Sequence, residues 1–433
     1  MTSSNSPIIK KKVVVFPAGT EIGLEIGRQL RLSKHFDLIG VNSVADHSEL
    51  VYPKLLQPFP FVSAPNFEVK FDELMRDLQP DFVIPSHDDA ILFFSKLASR
   101  YEGTRFLCPS PEIAEVLRSK AKTYTHLSSL LPVPQLYSAD SPPPELNAPL
   151  FLKPDVGQGS RGARKVHSFD EALRQAQAEP GLLIGEYLPG EEFTVDCFTN
   201  RHGKLLYSNA RNRLRILNGI AVRTAPVAIE GIDEIAQKIS TALKLRGAWF
   251  FQVKRRESGE LVLLEVASRI AGSMGLSHRL GVNFVELALF DRLDIDVSVV
   301  PNHYKIVMDR ALSARFSIEL DFENVYIDFD DTVIFEGKTV PETAAFLYRM
   351  LNAGKRLILL TRHKEDLDAT LARHRLTSLF DEIIHLKNGE SKAAFITRPN
   401  SIFVDDSFSE RQQVATSLGI PVFSPNMLDI FGG

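Results

Sequence analysis

Three aspartates fall within four positions of the stretch "YIDFDDTVI", residues 326–334, beside an apolar run. Asp328 and Asp330 stand two residues apart at what reads as a strand end, so the following bend can aim both carboxylates at one phosphorus. A carboxylate nucleophile beside a carboxyl acid/base is the chemistry such a pair can carry. Three later segments supply companions: "KRLILLTRH" ends a strand on Thr361, "GESKAAFI" starts a helix with Lys392, and "SIFVDDS" ends a strand on Asp405 and Asp406. All fall at the carboxyl ends of strands or the starts of helices, where open α/β sheets place their ligands. Taken alone, an Asp-rich loop is also what a turn or a helix cap looks like.

A second constellation lies upstream. The strand "PLFLKP" delivers Lys153, and "DVGQGSRGARKV" then places Gly157, Gly159, Ser160 and Gly162 ahead of another strand. The expected shape is a hairpin with a glycine-rich tip, whose backbone N–H groups can lie against phosphates while Lys adds charge-assisted bonds. A plain β-hairpin turn would account for the same glycines. Around it, "RSKAKTYTHL" offers Lys120 and Lys122 at a helix start, and "LLIGEYLPGEEFTVD" reads as strand, linker and strand. Within that stretch Glu186 to Leu188 can meet an adenine edge, and Glu192 can accept ribose hydroxyls. The paired strands of "WFFQVKRRESGELVLLEVASRI" bring Gln252, Glu265 and Arg269 towards one sheet end, where oxygen ligands for Mg²⁺ and a cation for a γ-phosphate would converge.

The elements that must position these groups follow from periodicity. Val13 to Phe16 form an apolar strand that enters a glycine turn and a helix with Ile22, Ile26 and Leu30 on one face. Further strands at "FDLIGVNS", "PDFVIPSH" and "RFLCPS" predict a small parallel sheet ending near residue 112. Gly19, Gly23 and Gly27 do not have the GxGxxG spacing of a dinucleotide fingerprint, and a tight turn with close helix packing explains them better. The middle region runs to about residue 305, and from "ENVYIDFDDTV" strands and helices alternate to the C-terminus.

Bulk composition narrows the class. A chain of 433 residues is too long for one ordinary core, and 29 Phe against a single Trp read as core residues. The formal charge of −4 leaves no footprint for nucleic acid or an anionic membrane, so any bound anion must meet a local cluster of cations. With two distant cysteines, Cys108 and Cys197, and no run of membrane-spanning length, a reducing cytoplasmic setting is expected.

Residues 1–305 resemble the ATP-grasp superfamily, specifically its carboxylate–amine ligases in the carbamoyl phosphate synthetase-like branch. The resemblance implies an α/β and α+β multidomain fold: a small parallel-sheet pre-ATP-grasp domain at 1–112 and an ATP-grasp domain at 113–305. It implies ATP held by Lys120 and Lys153, the tip Gly157, Gly159, Ser160 and Gly162 over the phosphates, Glu186 and Leu188 beside adenine, and Glu192 on ribose. Glu265, with Gln252, would bind Mg²⁺, and Arg269 would support the transferring phosphoryl group. A basic residue followed by a Gly faces the carboxylate or its acyl phosphate in such ligases, which selects Arg213 and Gly219 from "NARNRLRILNGIAVRT". Alternating Arg is also the pattern of a solvated strand face. The family's Glu-x-Asn-Pro-Arg reads "EVASR" here, so the expected Asn ligand is Ala267.

Residues 321–433 resemble the haloacid dehalogenase superfamily of phosphohydrolases, in a Rossmann-like domain with no interval long enough for a cap. By that resemblance Asp328 is the nucleophile, Asp330 the general acid/base, and Thr361 and Lys392 hold the phosphoryl oxygens. Asp328 and Asp405 bind Mg²⁺, with Asp330 and Asp406 as further candidate ligands. The function implied is a bifunctional cytoplasmic enzyme: an ATP-dependent ligase with small-molecule carboxylate and amine substrates, joined to a phosphatase acting on a phosphomonoester. Many ATP-grasp enzymes form homodimers. Two other functions fit the same residues: a kinase whose product the phosphatase hydrolyses, or an ATP-sensing module controlling the phosphatase.

Overall fold

Val13 and Val15 face one core and Val14 and Phe16 another, the period-2 signature of a parallel strand covered on both sides. The computed structural model describes residues 9–432 apart from 158, 160, 218, 313, 315, 317 and 388. The chain divides into two units, Met1–Ala311 and Leu312–Gly433. Among the described residues no helix is long and apolar enough to cross a membrane.

In the first unit the strand Lys11–Phe16 is central to a parallel sheet, flanked by Phe36–Val41 and Phe82–Pro85, with short edge strands Leu55–Leu56 and Arg105–Phe106. The helix Glu21–Leu30 follows, its start capped by the Thr20 hydroxyl, which accepts from the Gly23 amide. A Cβ on Gly23 would stand 2.5 Å from the Ala18 carbonyl oxygen, and one on Gly27 would stand 2.4 Å from Val51. These glycines serve close packing, as their spacing suggested. The phenylalanine excess is core: Phe16, Phe67, Phe71, Phe94 and Phe106 pack on one face of this sheet.

Two four-stranded antiparallel sheets follow. One orders its strands Leu136–Tyr137, Leu182–Glu186, Leu150–Pro154 and Arg164–Val166; the other orders Leu205–Asn212, Glu192–Thr199, Gly247–Arg255 and Leu261–Ala267. The regions on either side of the expected boundary at 112/113 pack against each other. Phe250, Phe284, Val285 and Leu289 share one core with Val13, Val15, Ile26 and Phe36, so the N-terminal sheet and the middle region form a single unit.

The second antiparallel sheet encloses an ion pair. Asp196 is fully buried and accepts from Arg211, 2 % exposed, at 3.1 Å, and from the Ser277 hydroxyl at 3.0 Å. Asp196→Ala would leave the guanidinium buried without its counter-charge. A loss of about 3–5 kcal/mol in unfolding free energy is expected by chemical denaturation, whereas replacing both partners with apolar residues should cost much less.

The second unit repeats the logic of the first. The parallel strands Glu382–His385, Arg356–Thr361, Asn324–Ile327, Ser401–Val404 and Val422–Phe423 lie side by side in that order. Val325, Leu357 and Ile402 face one core, and Tyr326, Ile358 and Phe403 the other. A small hairpin, Ile334–Phe335 with Lys338–Thr339, follows the aspartate-rich loop.

Candidate functional site

In the first unit a cleft opens between the two antiparallel sheets. Lys120, Lys153, Gly157, Gly159, Glu186, Leu188, Glu192, Gln252 and Glu265 all line it, from segments up to 145 positions apart in the chain. Ser160 lies outside the described residues. Gly162 sits in the same loop with φ at +73°, a backbone state that glycine adopts without strain.

The charges in this cleft are desolvated. Burial, with help from the like charge of Lys120, lowers the Lys153 ammonium to about 8. Lys153 donates to the Tyr124 hydroxyl, which in turn donates to the Leu264 carbonyl at 2.6 Å. Burial also pulls the Lys120 pKa down, partly offset by Glu265 and Asp155, and its Nζ donates to the Pro154 and Asp155 carbonyls at 3.0 and 3.2 Å. Lys120 therefore anchors the base of the glycine-rich tip. Glu265 is held above the ordinary carboxylate range by burial, against the pull of Lys120 and Arg269, and makes no ion pair among the described residues. It stands directly across the strand pair from Gln252. A desolvated carboxylate without a direct ion pair, beside a side-chain amide, is an oxygen set that fits Mg²⁺.

Some residues are placed differently from the expectation. The Glu186 carboxylate is taken by Arg256, at 2.8 and 3.0 Å, and by the Gln135 amide at 2.9 Å. Arg269 is clamped by both oxygens of Asp88, at 2.5 and 3.1 Å, and lies over the Phe250 ring. Burial penalises this pair, yet Arg269 outweighs it and holds the Asp88 pKa low. The sequence reading missed Asp88 as the partner of Arg269, although its place just after the strand Phe82–Pro85 is the signal that could have found it. Arg213 donates to the Gly219 carbonyl at 2.7 Å and pairs with Glu192 at 2.9 Å, which joins the expected carboxylate site to the expected ribose site. Arg215 and Arg223 both pair with Asp309 and are at least half exposed, so the solvated strand face accounts for those two.

In the second unit three neighbouring strand ends carry the acidic site. Asp328 follows Asn324–Ile327, Thr361 closes Arg356–Thr361, and Asp405 follows Ser401–Val404. Carboxylate oxygens of Asp328, Asp405 and Asp406 lie within 4.8 Å of one another, a donor set that fits a hard divalent cation. The Lys392 ammonium donates to Asp328 at 2.5 Å and to Asp405 at 2.6 Å. It starts a single 3-10 turn, Lys392–Phe395, rather than the expected helix. Burial raises Asp328 to about 7, with Lys392 opposing and Asp405 reinforcing the shift. Burial works against the Lys392 charge, but the two aspartates outweigh it and keep its pKa above the ordinary value.

Asp330 is not part of this carboxylate cluster. Its half-exposed side chain meets His363 Nδ1 at 2.9 Å instead. His363 is the second residue the sequence reading missed. The "TRH" that ends the Thr361 strand carried it, and its amide donates to the Thr361 hydroxyl at 3.1 Å.

Residues 178–312 match a family model described as ATP-grasp in the biosynthetic pathway with Ter operon. The L-arginine-specific L-amino acid ligase of Bacillus subtilis is 27% identical over 178 residues, covering 36% of this chain and 42% of that protein, so the chain matches under half the length of that curated relative. Among solved structures, the biotin carboxylase domain of Hydrogenobacter thermophilus 2-oxoglutarate carboxylase, in complex with MgADP, ADP and bicarbonate, is similar with a TM-score of 0.57 and 15% identity. The match covers 67% of this chain and 71% of that one. An L-amino acid ligase from Bacillus licheniformis gives 0.51 and 18%, over 66% of this chain and 74% of that one. The family match overlaps the second antiparallel sheet, and the first unit shares its fold with these solved structures.

Proposed function

We propose that the first unit is an ATP-dependent ligase that activates a carboxylate as an acyl phosphate for attack by an amine. The carboxylate oxygen would attack the γ-phosphorus as ADP leaves, and the amine would then displace inorganic phosphate at the acyl carbon. The observation that carries this reading is the convergence of two part-buried lysines, the glycine-rich tip and the Gln252–Glu265 pair on one cleft. Catalysis there would come from positioning and charge neutralisation. Mg²⁺ held by Glu265 and Gln252 would supply charge neutralisation at the phosphates. The likeness to amino acid ligases supports amino acids as substrates.

For the second unit the reading is a phosphomonoesterase. Asp328 would attack phosphorus, Asp330 would protonate the leaving alkoxide and later take a proton from the hydrolytic water, and Lys392 and Thr361 would hold the phosphoryl oxygens. Mg²⁺ on Asp328, Asp405 and Asp406 would neutralise phosphoryl charge. The strand-end grouping of these side chains supports it. A cytoplasmic setting, with ATP and Mg²⁺ at hand, suits both activities.

The test is the full chain with ATP, Mg²⁺ and mixtures of acids and amines, read by ADP release and product mass. A new amide bond is expected. A phosphorylated metabolite in its place would make the first unit a kinase. A second reading, a nucleotide sensor without turnover, is favoured by Ala267 at the position of the expected Asn ligand; it requires ATP binding with no ADP from any mixture.

A pH dependence follows from Lys153. Its pKa in the free protein, about 8, lies below that of an ordinary lysine, so the charge that would meet phosphate is present below that pH and lost above it. ATP affinity measured by calorimetry is expected to stay level up to about pH 7.5 and to weaken by up to about tenfold per unit above pH 8.

A further inference from the structure

Beside the lysine cleft lies a second cavity of about 730 Å³, reached by Gln252 and Arg269 and so contiguous with the reacting end of the proposed site. Its lining is rich in guanidinium groups. Arg161, Arg211, Arg213, Arg269 and Arg310 line it, against a single lining carboxylate, Glu21, which Arg310 already holds. Asp196, Glu192 and Asp88 pair with three of the other arginines. Yet Arg211 Nη1 and Arg213 Nε, on side chains only 2 % and 6 % exposed, have no hydrogen-bond partner among the described residues. The two arginines are two positions apart on and just past one strand, so they project to the same side. Buried guanidinium donors without acceptors are costly, and two of them at one cavity are poised for anionic oxygen.

We infer that the acid substrate carries a second anionic group, a carboxylate or a phosphate, beyond the carboxylate that is activated. The inference rests on the ligase reading of the same site. One guanidinium, at Arg213, meets the reacting carboxylate, and Arg211 with Arg310 meets the second group. The cavity is within the range that holds a metabolite of several carbons, and a cationic side chain would find no acceptor for itself in the two unpartnered guanidinium donors.

The test uses the full chain with Mg²⁺ and the non-hydrolysable analogue AMP-PNP, and calorimetric titration of four acids. These are alanine, arginine, glutamate with its second carboxylate, and phosphoserine with its phosphate. Glutamate or phosphoserine is expected to bind at least about tenfold more tightly than alanine or arginine, as one added charge-assisted contact would give. Which of the two wins distinguishes the carboxylate from the phosphate. Arg310→Gln should erase that preference while leaving alanine binding and AMP-PNP binding where they were, the latter showing that the variant is folded. Equal or weaker binding of both dianionic acids overturns the inference. A clear preference for them with no ADP formed from ATP in any acid and amine mixture would sustain the inference and sink the ligase reading instead.

Discussion

Asp328→Asn is expected to lower phosphate release from p-nitrophenyl phosphate by about 10⁴-fold or more, the scale at which a covalent nucleophile is lost. ADP formation by the first unit should be unchanged. The substitution keeps the volume and an oxygen that can accept from Lys392, so it removes nucleophilicity rather than the architecture around it. It should not harm the fold. The native carboxyl is raised to about 7 by burial, above its unfolded value, so folding favours the protonated form and its ionisation penalises stability increasingly from about pH 4 to pH 7. Asn cannot ionise, and the variant should melt no lower than the native chain at pH 8. Asp330→Asn offers the contrast: p-nitrophenolate leaves without a proton, so the first transfer should persist and hydrolysis of the phosphoenzyme should slow, visible as a burst. Loss of both activities together in Asp328→Asn would reject two independent sites.

Much of this arrangement was legible in the sequence, because strand ends announce themselves. The apolar runs before Asp328, Thr361 and Asp405 are short, bounded and rich in branched residues, and parallel pairing puts their ends on one edge. Lys153, the glycine tip and the Gln252–Glu265 pair were found on the same logic, since an antiparallel hairpin fixes which residues face each other. What escaped was pairing between side chains far apart in the chain. Nothing local to Arg269 says that its partner is Asp88, 181 residues upstream, or that Arg256 will occupy the Glu186 carboxylate. Such choices depend on which surfaces pack, and the shared core of Val13, Phe36, Phe250 and Phe284 that joins the expected first two domains is itself such a packing choice. His363 was missed because a His after a strand end carries no signature until the loop holding Asp330 folds over it.

Glu265→Gln is expected to slow ADP formation by about 10²–10³-fold while leaving ATP binding without Mg²⁺ almost unaltered, the loss typical of one charge-stabilising group. Two features would concentrate a metal's demand on this residue. Its neighbour across the strand pair, Gln252, is uncharged, and Ala267, two positions on, offers no side-chain oxygen. Glu265 is thus the one carboxylate of the expected ligand set, and burial without an ion pair makes it costly unless a cation joins it. The variant should therefore be at least as stable to denaturant as the native chain, which separates a catalytic loss from unfolding. Calorimetry should show that Mg²⁺ no longer strengthens ATP binding, and undiminished turnover would remove Glu265 from the reaction. Ala267→Asn probes the same site from the other side. By adding an oxygen at the position of the expected Asn ligand, it should lower the Mg²⁺ concentration for half-maximal activity if the native chain turns over. If the native chain forms no ADP and Ala267→Asn does, the first unit is a nucleotide sensor whose chemistry is blocked at position 267, and the ligase reading falls.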